Sequence, residues 1–216
     1  MSRSRLLTSS PIALGIAAIA VLALAGCAAP GEAAVEETAN TAPSAEPTPV
    51  ETQPATPSAA PVDPADVTTW VITADAVGPL ARGADAAEAI AGLPAFEADE
   101  WCPGVFGLGQ EGSAQVTVTV LDDGTIGGVW VSGRDSGDGT PPAAPSTEAG
   151  ISLGATMEEL AASYSELMPT NQPGPITFGY AVGDDDEGYV NFLVDDGVVV
   201  TMGVQDRAAV PKELCG

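Results

Sequence analysis

The chain of 216 residues contains no histidine, and only six of its residues are Lys or Arg. Histidine is the usual general base of Ser-His-Asp and Cys-His enzymes, so both arrangements are excluded. A Ser-Lys pair would have to use Lys212, close to the C-terminus. Zinc centres favour Cys and His ligands, which this chain hardly provides. We therefore predict no catalytic residue, no cofactor and no enzymatic activity.

Basic residues are few in the part of the chain after Cys27. All 30 acidic residues lie after Cys27, where the basic residues are Arg82, Arg134, Arg207 and Lys212. Nucleic-acid binding is not expected, because no basic surface can form to meet phosphates. The same deficit argues against binding anionic lipids through protein charge. The acidic surface keeps an exported domain soluble; the alternative is that it attracts cationic ligands or divalent ions.

The N-terminal region has the order of a secretory signal peptide. Arg3 and Arg5 form a short positive segment, and an almost wholly apolar run follows over 12–25. A positive start, an apolar core and small residues in this order are typical of secretion signals. The run of about 14 residues is shorter than the roughly 20 needed to span a bilayer. We predict a cleaved leader rather than a membrane-spanning helix.

The run ends in Leu24-Ala25-Gly26-Cys27, which resembles the lipobox of bacterial lipoproteins. The resemblance implies cleavage between Gly26 and Cys27 and attachment of a diacylglyceryl group to the Cys27 thiol. Two acyl chains give durable anchoring, whereas one holds only marginally. We therefore predict a signal peptide over 1–26 and a protein lipid-anchored to the extracytoplasmic face of the cell membrane.

Two cysteines, Cys102 and Cys215, remain beyond the lipobox. Outside the cytoplasm disulfides persist, and two cysteines allow a single pairing. A Cys102–Cys215 bridge would close a long loop, and on the chain-entropy model it would stabilise the domain by about 4–5 kcal/mol. The alternative is a pair of free thiols at a redox or metal site, which no Cys-x-x-Cys spacing supports.

Composition divides the rest of the chain. Residues 27–65 are mostly Ala, Pro, Thr, Glu and Ser without an aromatic residue. Such a segment cannot bury enough apolar surface to fold, and it predicts a disordered linker that lets a domain stand off the membrane. Residues 66–216 have the length of one extracytoplasmic domain.

Within that domain, two helix starts and two turns recur in the same order. Asp85 with Glu88, and Thr156 with Glu159, have capping-box spacing, which predicts helices over 85–92 and 157–167. An Asp-Asp-Gly turn lies between β-branched runs at 122–124, and a second one at 195–197. The turns predict two hairpins, one joining strands 115–121 and 125–132 and the other joining strands 189–194 and 198–204.

These features predict an α+β fold of two tandem helix-plus-antiparallel-meander repeats that form one domain. The repeats cover about 67–133 and 148–216, and the Gly- and Pro-rich stretch 134–149 is expected to be a mobile connector. Paired glycines at 127–128 predict a bulge, or alternatively a close backbone approach, in the strand that contains them.

The helix start followed by a strand, an Asp-Gly turn and a second strand resembles the unit of the small-protein-A outer-membrane-assembly lipoproteins. Two such units in tandem resemble the secreted β-lactamase inhibitor proteins. The resemblance implies the fold and a binding role, and it assigns no specific residue.

Two acidic loops are weak calcium candidates. Asp184 and Asp186 lie in one, and Asp135 and Asp138 in the other. Calcium takes six to eight oxygen ligands, although neither loop has EF-hand spacing and acidic loops are more often simply solvated. We expect a non-catalytic module that binds another envelope protein or a small ligand. The alternatives are a divalent-cation or small-ligand binding protein and a hydrolase that uses two carboxylates.

Overall fold

The computed structural model describes residues 62–137 and 139–215. The predicted signal peptide, its cleavage site at Gly26, the lipidation site Cys27 and nearly all of the predicted linker lie outside the described residues. None of the helices in the described part is both long and apolar enough to cross a membrane.

The domain is mostly β-structure with two short helices. The two helices are α1 at Ala86–Ala91 and α2 at Met157–Ser163, and a 3₁₀ turn at Val67–Thr69 precedes them. The strands are β1 Val71–Ile72, β2 Ala76–Val77, β3 Leu80–Ala81, β4 Glu97–Cys102, β5 Val105–Gly109, β6 Gln115–Val120, β7 Ile126–Ser132, β8 Ser146–Thr147, β9 Met168–Pro169, β10 Thr177–Asp184, β11 Gly188–Asp195 and β12 Val198–Gln205. The α+β class predicted from the sequence is therefore observed.

The main sheet has eight strands in the order β4-β5-β6-β7-β12-β11-β10-β9. All neighbours are antiparallel, so each half of the domain supplies four consecutive strands as a meander. The two meanders meet where β7 pairs with β12, with Val131 opposite Met202 and Val129 opposite Val204. Both halves thus share one continuous sheet.

A second sheet has four very short strands in the order β3-β2-β1-β8. Its pairing is mixed, because β8 runs parallel to β1 while the other strands are antiparallel. The sequence did not predict this sheet, and the predicted connector 134–149 is wrong in its second part. There Pro145 and Thr147 are buried, because β8 is hydrogen-bonded into the sheet and fixes that part of the chain.

Both predicted hairpins form. In the second, the turn residues Asp196 and Gly197 have φ of 50° and 80°, the left-handed region that Gly and Asp accept most readily. In the first, Thr119 lies opposite Gly128 but Val120 lies opposite Ile126, so Gly127 is an extra residue. The bulge predicted from the paired glycines is thereby confirmed.

Both helices begin at the predicted caps. Asp85 accepts the N–H of Glu88 at α1, whereas Thr156 and Glu159 form a complete reciprocal capping box at α2. Helix α2 ends at Ser163 rather than at 167, because Tyr164 is already extended. Pro169 also disfavours helical backbone at the residue before it.

Each helix is tied at its start to a hairpin turn by three backbone hydrogen bonds. For α1 the bonds are Gly83 N–H to Ile126 O, Ile126 N–H to Ala84 O and Ala86 N–H to Gly124 O, at 2.8, 2.9 and 3.0 Å. For α2 they are Gly154 N–H to Val199 O, Val199 N–H to Ala155 O and Met157 N–H to Gly197 O, at 2.9, 2.8 and 2.9 Å.

The core lies between one face of the main sheet, called here the inner face, and the layer formed by the helices and the small sheet. A row across four strands, Val116, Val131, Met202 and Phe192, belongs to this core. The helix layer contributes Leu160 and the small sheet contributes Ile72. Burial of this apolar area is the main stabilising term of the domain.

The opposite face, called here the outer face, is also packed. Trp130 of β7 is 3% exposed and lies across Gly203 of β12. A Cβ atom on Gly203 would lie 2.2 Å from a ring carbon of Trp130. Glycine is thus required here by the close approach of a buried indole.

We expect Gly203→Ala to destabilise the domain by about 1–3 kcal/mol, the usual cost of overpacking a filled site. Gly109→Ala is the matched control, because a Cβ atom there meets only the carbonyl oxygen of Glu97, at 4.0 Å. Urea unfolding followed by tryptophan fluorescence measures both variants. Equal unfolding midpoints for the two would contradict the packing described here.

Candidate binding cleft

A cleft of about 910 Å³ opens at one end of the main sheet. Its walls come from the start of the connector, the segment 149–155 before α2, and the β11–β12 turn, with Glu159 and Ser163 on α2. Both the hairpin turn and the helix start are fixed by the backbone hydrogen bonds described above. Two of the three walls of the cleft are therefore fixed by backbone hydrogen bonds.

A charged pair defines one wall of the cleft. Arg134 follows β7, and its Nη1 lies 2.6 Å from Oδ2 of Asp195, the last residue of β11. Thr177 donates its hydroxyl to the other carboxylate oxygen at 2.6 Å. The Thr177 hydroxyl first, and then the Arg134 guanidinium, hold the pKa of Asp195 below its usual value.

This pair leaves Arg134 available to a ligand. The Asp195 side chain is only 15% exposed, whereas that of Arg134 is 62% exposed. A guanidinium has five N–H donors in a planar fork, and the carboxylate occupies only one edge of it. Arg134 is thus a positioned donor group at the mouth of the cleft.

Acidic groups surround that cation. Glu159 lies beside the cleft, where the N–H and hydroxyl of Thr156 both donate to its Oε2 at 2.8 Å. These bonds, the backbone one first, lower the pKa of Glu159. Asp135 and Asp196 also line the cleft. The rim therefore carries more negative than positive charge.

The floor of the cleft is apolar. Ile151 and Leu153 are buried and belong to the core, as does Val199 of β12. Sites for small ligands commonly combine an apolar lining with a few fixed polar groups that set orientation. This cleft has that combination.

A smaller hollow of about 480 Å³ lies between the small sheet and the main sheet. Its lining is largely apolar and includes Ile72, Tyr164 and Val190. Burial raises the pKa of Tyr164, whose ring lies 5.7 Å from that of Phe192. The ring contact makes Tyr164 part of the core.

The predicted calcium residues have local roles in their loops. Asp184 Oδ1 accepts the N–H groups of Asp186 and Glu187 at 3.0 and 2.9 Å. Asp135 Oδ1 accepts the N–H groups of two glycines at 137 and 139. Asp138 lies outside the described residues. Among the residues that are described, no three His, Cys, Asp or Glu side chains gather to hold a metal, and calcium stays a prediction.

The disulfide predicted from the cysteine count is present. Cys102 of β4 is bonded to Cys215, across a sequence separation of 113 residues. The alternative of two free thiols is therefore wrong. Disulfides of this kind are typical of proteins that mature outside the cytoplasm, so the bridge supports an extracytoplasmic location.

Sequence reasoning missed the residues that shape the cleft. It placed Arg134 in a connector and Asp195 in a turn, far apart along the chain, and no local pattern links them. The available signal was the small number of basic residues after Cys27, which makes each of them a candidate for a defined role. Arg82 also has such a role, because it donates hydrogen bonds to the carbonyls of Ala74 and Glu187, at 3.0 and 2.7 Å.

No protein-family model and no curated protein matches this chain. One similar solved structure is the 1.5 Å crystal structure of an extracellular protein containing a SCP domain from Bacillus anthracis str. Ames. The match has 12% identity and a TM-score of 0.34 over 58% of this chain and 44% of the other. This chain therefore spans less than half of that protein, and the likeness identifies neither its fold nor its function.

We expect Asp195→Asn to lower the melting temperature most at neutral pH. The lowered pKa of Asp195 means that its ionised form stabilises the folded state above the unfolded pKa of about 3.9. That contribution is lost as pH falls through the folded pKa, so the gap between wild type and variant should narrow from pH 6 towards pH 3. Asp196→Asn is the control, because Asp196 is exposed in a left-handed turn that Asn accepts. A gap independent of pH would contradict the ionic role.

Proposed function

We propose that this chain is a lipoprotein anchored through Cys27 to the extracytoplasmic face of the cell membrane, and that its domain binds another envelope molecule without catalysis. The observation that carries the binding role is the cleft of about 910 Å³ beside α2. Ligand sites usually measure about 300–1,000 Å³. The anchor rests on the Leu24–Cys27 lipobox, and the disulfide supports the compartment.

The chemistry of the cleft favours a polar ligand. An apolar floor supplies contact area, and Arg134 supplies hydrogen-bond donors to an acceptor group. The acidic side chains at the rim of the cleft disfavour a negatively charged ligand, because like charges in one site repel. A neutral or positively charged small molecule, or a projecting loop of a neighbouring envelope protein, meets these conditions.

We also propose that the two halves of the domain are copies of one unit. The support is the hydrogen bonding at the two helix starts, where three equivalent backbone bonds join each helix to the turn of its own hairpin. Each half then contributes four consecutive strands to the sheet. This arrangement agrees with the resemblance to the tandem β-lactamase inhibitor proteins and supports a binding rather than a catalytic role.

Filling the cleft tests the binding role. Ser163 lines the cleft on α2, whereas its exposed neighbour Ala162 does not. A photoreactive amino acid in place of Val198, which is 36% exposed at the cleft, should crosslink in intact cells to one recurring molecule that mass spectrometry identifies. We expect Ser163→Trp to remove that adduct and Ala162→Trp to leave it.

The control position is Leu121, which is 55% exposed and does not line the cleft. The same photoreactive residue there should not give the adduct. If no adduct forms at Val198 with good recovery, or if both tryptophan variants keep it, the cleft is not the binding site.

Cys27→Ala tests the anchor. We expect wild type to sediment with membranes and the variant to move to the soluble fraction, because the diacylglyceryl group has no thiol to join. Fractionation and immunoblotting of the two forms provide the measurement. A variant that stays with the membrane at the wild-type level would contradict lipid anchoring through Cys27.

A further inference from the structure

The Arg134–Asp195 pair presents hydrogen-bond donors to the cleft without a net positive charge. Nη1 of Arg134 lies 2.6 Å from Oδ2 of Asp195, and Thr177 donates its hydroxyl to Oδ1 at 2.6 Å. Both carboxylate oxygens of Asp195 are thus occupied inside the protein. The side chain of Arg134 is 62% exposed at the cleft, so the rest of its planar fork of N–H groups can meet a ligand.

Most donors of the neighbouring wall, the segment 149–155, are already used within the domain. The Ser152 hydroxyl donates to the carbonyl of Pro145 at 2.9 Å. Four backbone N–H groups of the segment also have acceptors in the protein, and they belong to Gly150, Ile151, Gly154 and Ala155. An acceptor atom of a ligand beside this wall therefore finds its donors chiefly on Arg134.

The charges around Arg134 separate two kinds of acceptor. A ligand carboxylate would meet a guanidinium whose charge Asp195 already matches, and it would face the exposed carboxylates of Glu159 and Asp196. Removing such an unmatched charge from water against an apolar floor is costly. An uncharged amide carries a carbonyl oxygen that accepts the same N–H groups, and it avoids this repulsion. The cleft thus favours the amide.

We propose, building on the binding role proposed above, that the ligand of the cleft is an uncharged small molecule that places an amide carbonyl on Arg134 and an apolar group on the floor, and that Asp195 sets this preference over carboxylates. Asp195 is a positioning residue, because it acts through Arg134 and does not contact the ligand. Removing the charge of Asp195 reverses the preference, since an unmatched guanidinium pairs with a carboxylate through two charge-assisted hydrogen bonds.

Two small probes that differ in one group test this preference. Isocaproamide and isocaproate share a branched apolar body, and they end in an uncharged amide and in a carboxylate. Each is titrated at neutral pH into the isotope-labelled mature chain, residues 27–216, with Cys27→Ala to leave it without lipid. The NMR signals of the Gly150 and Ile151 amides in the cleft wall report binding. We expect isocaproamide to bind at least about tenfold more tightly, because it meets no like charge.

Asp195→Asn tests the source of the selectivity. This variant should bind isocaproate more tightly than isocaproamide, because Arg134 then carries an unmatched charge. Asp196→Asn is the matched control, since it removes the same charge from the cleft and leaves the Arg134–Asp195 pair intact. It should keep the preference for the amide. A melting transition checks that each variant is folded. An unchanged preference in Asp195→Asn, or a reversal in both variants, overturns the proposal.

Arg134→Met tests the donor group itself. We expect isocaproamide to bind this variant about tenfold more weakly, the usual effect of losing one or two hydrogen bonds. Arg207→Met is the control, because Arg207 is exposed and does not line the cleft. Its affinity for isocaproamide should equal that of wild type. Equal effects of the two substitutions overturn the proposal.

The crosslinking experiment at Val198 separates this proposal from the binding role on which it rests. If Val198 gives the adduct while the wild-type chain binds the two probes equally or not at all, the ligand class is overturned and the binding role stands. If the amide selectivity is measured without an adduct in cells, the selectivity is supported and the envelope partner is the part that fails.

Discussion

The pairing of β7 with β12 is the contact on which the architecture depends. Each meander taken alone would end in an unpaired strand, and exposed strand edges invite pairing with other chains. Joining the two meanders removes both edges and aligns Val131 with Met202, so that the apolar rows of the two halves form one inner face. The helices and the small sheet then have a single surface to cover. The cleft depends on the same contact, because Arg134 follows β7 and Asp195 ends β11, the neighbour of β12.

Local chemistry made part of this fold predictable. Helix caps and tight turns are decided by a few adjacent residues, such as Thr156 with Glu159, or Asp196 with Gly197, whose conformation demands particular side chains. The bulge at Gly127 follows from the same kind of rule. These elements therefore lie where the sequence predicts them, within one or two residues, apart from the early end of α2.

Long-range pairing was not predictable in the same way. Strands β1, β2, β3 and β8 have two residues each, too few for an alternating pattern. Strand β8 was expected to belong to a mobile connector, because Gly and Pro dominate the sequence before it. Its position is set by parallel pairing with β1, far away along the chain. The Arg134–Asp195 contact has the same origin, since only the assembled sheet brings the two residues together.

The two faces of the sheet are held by different chemistry. Apolar residues cover the inner face, and exchanging that layer would expose the core to water. The outer face carries polar residues such as Thr117, Asn191 and Gln205, a pattern typical of a sheet with one wet side. Burial of these groups requires hydrogen-bond partners, and Asn191 and Gln205 find theirs in the carbonyls of Arg207 and Ala209, on the segment that follows β12. The Cys102–Cys215 disulfide fixes the far end of that segment. The outer face is therefore held by hydrogen bonds and one covalent bridge, whereas the inner face is held by apolar burial.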